Sequence, residues 1–112
     1  EIATTLAPGI TVTRTSEEAL RGADVVVVLR IQKERLAGKK LSFEDYIARF
    51  QLTPERMRMA HKDAILMHPG PVIRGVEING SLPDYPQSVI LDQVRNGVPL
   101  RMAILARALG VR

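Results

Sequence analysis

The sequence predicts an α/β domain built on part of a doubly wound parallel sheet, with about three short strands and flanking helices. Three observations carry that expectation. Asp24-Val25-Val26-Val27-Val28-Leu29 and Ala64-Ile65-Leu66-Met67 are short continuous apolar runs, the pattern of parallel strands covered on both faces. A helix-start signal precedes each run, at Ser16-Glu17-Glu18 and at Thr53-Pro54-Glu55. Each run also ends in a polar or constrained segment: Arg30-Ile31-Gln32-Lys33-Glu34-Arg35 after the first, His68-Pro69-Gly70-Pro71 after the second. In open parallel sheets ligands bind just outside the carboxyl ends of the strands, so these two segments mark the expected site.

In chain order, Ile10-Thr11-Val12-Thr13 alternates, is β-branched and reads as a first short strand. Ser16 opens a helix to about Leu20, with Glu17 and Glu18 favourably placed in its first turn and Gly22 stopping it. The strand over Asp24–Ile31 follows. Leu36–Lys40, with Gly38 and two lysines, reads as a loop, and Ser42 caps a helix over about Phe43–Phe50. The helix opened by Thr53 has Pro54 in its first position and turns Met57, Ala60 and Met59 toward the sheet.

After the second strand and its His-Pro-Gly-Pro loop comes a polar, Pro-rich stretch through Asn79-Gly80 and Leu82-Pro83-Asp84-Tyr85-Pro86. Two helices close the chain, about Gln87–Arg95 and Pro99–Leu109, parted by Asn96-Gly97. Val98, Met102, Leu105 and Leu109 recur at helical spacing, and Leu100, Ala103, Ile104, Ala106 and Ala108 widen the apolar arc. A helix apolar over so wide an arc requires burial on more than one side. Three strands offer too little surface for that, so residues 1–112 read as a single, incomplete domain.

Composition narrows the function. The chain has 112 residues, 46% of them hydrophobic and 25% charged, which is ordinary for a globular protein with one modest core. Cysteine is absent, which removes disulfides and thiolate metal sites and fits a cytoplasmic setting. The longest apolar run, Val25–Leu29, is far short of the roughly 20 residues a membrane span needs. The net charge of +4 is spread along the chain, and two Tyr and two Phe make a poor stacking platform. Nucleic acid and membrane are therefore not expected partners; the charge fits either small anions or simply a solvated basic surface, the latter at least as well on charge alone.

Arg30 and Gln32 stand two apart at a strand end and share one face in extended geometry. A guanidinium beside an amide suits an α-amino carboxylate or a dicarboxylate. The plainer alternative, favoured on spacing alone, pairs Arg30 with a nearby acid and leaves Gln32 merely exposed. Lys33, Glu34 and Arg35 form either an ion-pair network that steadies Arg30 or a solvated charge run. His68 offers a general acid or base near neutrality; a histidine that bonds backbone and shapes its turn is the reading favoured. Pro69 and Pro71 fix φ and remove donors, which turns the carbonyls of His68, Pro69 and Gly70 outward as acceptors. His61 reads as a surface residue. No histidine has a second ligand at metal spacing and no Gly-rich phosphate loop is present, so neither a metal nor a cofactor is expected.

Three segments in colinear order resemble aspartate carbamoyltransferases: Ala23 through Arg35; Met67-His68-Pro69-Gly70-Pro71-Val72-Ile73-Arg74-Gly75-Val76-Glu77-Ile78; and the tail Ser88 through Ala103. The resemblance spans essentially the whole chain and implies a Rossmann-like aspartate-binding domain. It implies an enzyme that moves the carbamoyl group of carbamoyl phosphate to L-aspartate in pyrimidine synthesis, as a homotrimer when intact. By that resemblance Arg30 and Gln32 bind aspartate carboxylates, and the carbonyls of Pro69 and Gly70 accept from the carbamoyl amino group. Lys33, Glu34 and Arg35 steady the loop that closes over aspartate, while His68, Pro71 and Arg74 support the second loop. Ornithine carbamoyltransferases typically carry Cys where Pro69 stands, together with a Ser-Met-Gly signature, and this chain has neither.

The family's carbamoyl-phosphate domain, with its Ser-Thr-Arg-Thr motif, is not in these residues, and Arg14-Thr15-Ser16 is no substitute for it. The chain resembles the last third of such an enzyme and is expected to need an amino-terminal domain or companion chain, and to be inactive alone. The alternative is a stand-alone α/β interaction module that recruits a partner through its apolar last helix.

Overall fold

The computed structural model describes residues 5, 7, 9–31 and 42–111. Two short strands, β1 (Val25–Val27) and β2 (Ile65–Met67), pair in parallel with Val25 opposite Ile65 and Val27 opposite Met67. Val28 N–H donates to Met67 C=O at 3.0 Å, carrying the ladder one step past the strand end. The α/β class holds, but the third strand differs from expectation. Ile10–Thr13 forms no ladder, and Ile10 and Val12 are largely exposed. β-propensity without a neighbouring edge does not make a strand. The third position belongs to Gln87–Val89: Leu66 N–H donates to Gln87 C=O at 2.8 Å and Val89 N–H to Leu66 C=O at 2.9 Å, a parallel bridge at Ser88.

The helices follow their caps. α1 (Ser16–Leu20) is capped one residue earlier than Ser16, by Thr15, whose Oγ1 accepts from Glu18 N–H. Gly22, at φ +69°, takes the chain out of the helix. α2 (Phe43–Phe50) starts from Ser42, whose hydroxyl accepts from Asp45 N–H at 3.0 Å. α3 (Pro54–Met57) is a single turn capped by Thr53; it buries Met57, followed by buried Ala60, while Met59 stays outside.

The final helix, α4, runs unbroken from Ile90 to Ala108 through Gly97 and Pro99, correcting the expected pair. The turn that Asn96-Gly97 predicts would require a positive φ, which Gly97 does not adopt. Pro99 lies inside the helix, which forfeits the hydrogen bond that its missing N–H would have made.

The core is one cluster of Leu20, Val26, Leu52, Met57, Ala60, Ala64, Leu66, Ile78, Leu82 and Ile90. Only Val26 and Leu66 of the strands look into it. Val25, Val27 and Ile65 lie on the other face at 50%, 54% and 37% exposure, so among the described residues the sheet is packed on one side and not on both. α4 touches the core through Ile90 and leaves Leu91, Val94, Val98, Leu100, Met102 and Leu105 exposed. The radius of gyration is 16.5 Å, against about 13 Å for a compact chain of this length. No described helix is long and apolar enough to cross a membrane.

Candidate functional site

Both strands end at the same edge of the sheet, and there the two segments marked by the sequence emerge. Arg30 follows β1 by three residues, is exposed, and has no ion-pair partner among the described residues. Gln32, Lys33, Glu34 and Arg35 lie outside the described residues.

The loop after β2 is built tightly. The His68 ring is fully buried. Its Nδ1 accepts from Gly70 N–H at 2.8 Å, so the ring proton of the neutral imidazole sits on Nε2, 3.1 Å from Glu77 Oε1. The same Glu77 oxygen accepts from Ile73 N–H at 2.7 Å. His68 N–H in turn donates to Gln93 Oε1, on α4, at 3.0 Å. Gly70 takes φ +74°, where a side chain would be strained, and the Gly70–Pro71 peptide is cis. With Pro69 and Pro71 unable to donate and the Gly70 N–H consumed by His68, the carbonyls of Pro69 and Gly70 accept no hydrogen bond among the described residues. They are open acceptors on a rigid frame.

Glu77 owes its position to a turn. Gly75, at φ +86°, folds Arg74–Ile78 back so that Gly75 N–H reaches Ile78 C=O at 2.8 Å. Leu52 N–H then donates to Glu77 C=O at 2.9 Å and Asn79 N–H to Leu52 C=O at 2.8 Å, stitching the turn to the α2–α3 junction. Glu77 is fully buried, and its Oε2 has no partner. Burial raises the Tyr46 phenol above its ordinary 10.0, and the nearby Glu77 carboxylate raises it further. Arg74 closes the loop's outer side with a two-pronged ion pair to Asp84, at 2.7 and 2.9 Å, and a further bond to Gly80 C=O. That bond to Arg74, with its charge, lowers the Asp84 carboxyl below its ordinary 3.8.

Beside Pro69 a groove of about 450 Å³ opens between the loop and α4, lined by Met67, Gln93, Val94, Asn96, Gly97, Leu100 and Arg101. Arg101 lies back over Gly97, its Nη1 3.9 Å from where a Cβ would stand. One wall thus offers the Arg101 cation and the amides of Gln93 and Asn96, and the other Met67 and Pro69; a cation beside amides suits a small ligand bearing negative charge. No group of three or more metal-type side chains occurs among the described residues.

The sequence reading singled out His68, Pro69, Gly70 and Pro71, which the structure brings together in this loop. It overlooked Glu77, Gln93 and Arg101. For Glu77 there was a signal: a lone carboxylate set directly between the apolar Val76 and Ile78.

A family model described as "Aspartate/ornithine carbamoyltransferase, Asp/Orn binding domain" matches residues 1–108. The chain is 56% identical over 100 residues to the aspartate carbamoyltransferase catalytic subunit of Koribacter versatilis (strain Ellin345), covering 89% of this chain and 33% of that protein. Among solved structures, ornithine carbamoyltransferase from Pyrococcus furiosus superposes with a TM-score of 0.72 at 26% identity, covering 81% of this chain and 29% of that one. Aspartate transcarbamoylase from Trypanosoma cruzi, in complex with carbamoyl aspartate and phosphate, superposes with a TM-score of 0.67 at 33% identity, covering 83% and 28%. The chain spans about a third of the length of the curated relatives it matches.

Proposed function

Since this chain belongs to the aspartate/ornithine carbamoyltransferase family, matching its Asp/Orn-binding domain, we propose that it is the aspartate-binding portion of an aspartate carbamoyltransferase. In that reaction the amine nitrogen of L-aspartate attacks the carbamoyl carbon of carbamoyl phosphate. The carbon–oxygen bond to phosphate breaks, the amine loses a proton, and N-carbamoyl-L-aspartate and phosphate leave. The product places the enzyme in pyrimidine biosynthesis.

The observation that carries this reading is the pair of open carbonyls at Pro69 and Gly70, framed at the sheet edge where Arg30 also emerges. Carbonyls accept N–H, which is what a carbamoyl amino group offers, and a guanidinium takes carboxylate. Gln32 is assigned to aspartate with Arg30. Lys33, Glu34 and Arg35 are assigned to the closing loop, and His68, Pro71 and Arg74 to the support of the carbonyl loop. Aspartate is favoured over ornithine by the 56% identity to two proteins named aspartate carbamoyltransferase catalytic subunit, and by Pro69 itself. The reading includes an amino-terminal domain or companion chain for carbamoyl phosphate, a homotrimeric assembly and a cytoplasmic location. The interaction-module alternative has no support among the named relatives.

The test is an exchange. These 112 residues replace their counterpart in the Koribacter catalytic subunit, and carbamoyl-aspartate formation is assayed. Turnover with L-aspartate, lost on Arg30→Ala, is the expected result. A folded exchange protein that carbamoylates ornithine and ignores aspartate overturns the acceptor assignment. One that does neither overturns the reading. The 112-residue chain by itself is expected to give no turnover.

A further inference from the structure

We propose that Glu77 is a positioning residue for the carbamoyl group, acting through the His68 ring on the carbonyls of Pro69 and Gly70; the inference rests on the reading above. One carboxylate oxygen, Glu77 Oε1, accepts from both sides of the loop: Ile73 N–H at 2.7 Å beyond it and the His68 ring at 3.1 Å before it. From the ring's other nitrogen the chain of bonds continues at 2.8 Å to Gly70 N–H, the peptide group directly joined to the Pro69 carbonyl. Gly70 N–H and Pro69 C=O belong to one planar unit, so whatever orients the donor orients the acceptor. Fixing His68 from behind therefore aims the Pro69 carbonyl, and holding Ile73 keeps the span from Gly70 onward in place.

Two fully buried side chains are committed to this arrangement, and neither reaches the open groove. A buried carboxylate is costly unless it is paired, and a loop needing only a shape would be satisfied by apolar packing. The clamp is also anchored outside the loop, because His68 N–H is held by Gln93 of α4 and Glu77 C=O by Leu52 N–H. Glu77 thus acts as the fixed point against which the acceptors are set.

The test uses the active exchange protein described above and measures KM for each substrate separately. Glu77→Ala and His68→Ala should raise KM for carbamoyl phosphate about ten-fold or more, the worth of one well-placed hydrogen bond. KM for aspartate should stay within about two-fold, since the guanidinium site is untouched. Glu77→Gln keeps an oxygen acceptor for both donors and should recover most of the loss. His68→Asn puts an oxygen where Nδ1 stood and should recover more than His68→Gln, which restores only the side facing Glu77.

Equal changes in both KM values, or losses that only follow the amount of folded protein, overturn the positioning role. If the alanine variants do not fold, the Gln and Asn variants are read alone by the same criterion. Nitrogen-15 NMR of the unmodified protein adds an independent reading: His68 should carry its proton on Nε2, and the Nδ1-H tautomer overturns the relay. An exchange protein inactive before any of these changes indicts the functional reading instead.

Discussion

Arg56 Nε donates to Glu17 Oε1 at 2.9 Å, joining residues 39 apart in sequence, while its other two nitrogens cap α2. Nη1 reaches Gln51 C=O at 2.8 Å and Nη2 reaches Ala48 C=O at 3.0 Å, so one guanidinium fastens α1, the end of α2 and α3 together. Arg56→Ala should lower the unfolding free energy by about 2 kcal/mol, from the carbonyl bonds of a side chain only 17% exposed. Arg56→Lys keeps the charge without the planar fork and should recover less than half. Urea unfolding of the pair measures both. A loss under about 0.5 kcal/mol would show that the fork is dispensable.

Gly97→Ala should stabilise the protein by about 1 kcal/mol, because Gly97 lies inside α4 with no positive φ. A Cβ there meets only Arg101 Nη1, at an ordinary 3.9 Å. Thermal unfolding decides the sign. A turn at Asn96-Gly97 with left-handed backbone would make the same substitution destabilising.

The Arg74–Asp84 pair gives an acid-side prediction. Hydrogen bonding from Arg74 is the first cause that lowers the folded-state Asp84 carboxyl below 3.8, and the Arg74 charge is a smaller one. A lowered folded value means the unfolded chain takes up the proton first as pH falls. The pair's contribution is therefore complete above pH 3.8 and disappears below it, through the folded value. Asp84→Asn should flatten the acid limb of a stability–pH curve below that point and change the rest modestly. Both partners are solvent-exposed, so the difference should shrink in high salt.

Glu77→Ala is expected to be the most damaging of these changes to the fold. It leaves the His68 Nε2–H and the Ile73 N–H as buried donors without acceptors. Two such orphans cost about 3 to 5 kcal/mol in all. Denaturant unfolding with the unmodified protein as reference checks the figure, and a value near that of an ordinary surface substitution would mean that water or a rearranged loop replaces the carboxylate.

The parts of the fold legible in the sequence were those set by near neighbours. Ser42 and Thr53 announced α2 and α3 because a cap is a bond between residues three apart. The two apolar runs announced β1 and β2. What failed depended on distant partners or on competing local signals. Ile10–Thr13 has strand chemistry but no ladder, while Gln87–Val89 has little strand chemistry and sits beside β2. Asn96-Gly97 and Pro99 are breakers locally, yet the helix runs through them. At the site, His68 through Pro71 stood out as a contiguous motif. Glu77, nine residues away, and Gln93, twenty-five away, join His68 only after the Gly75 turn and the α4 docking have formed.

The attachment of α4 has a mechanical side. The helix is secured near its first turn, by buried Ile90 and by the bond from His68 to Gln93, while most of its length beyond Gly97 is exposed. Its 19 residues make a rod about 28 Å long at 1.5 Å per residue. A rod clamped at one end is a cantilever, and a pivot of about 5° at the clamp carries the far end through about 2 Å at that length. The clamp is the backbone N–H of His68, whose ring holds Gly70. The carbonyl loop and the root of α4 therefore share one attachment, because the residue whose ring holds Gly70 also holds Gln93 through its backbone.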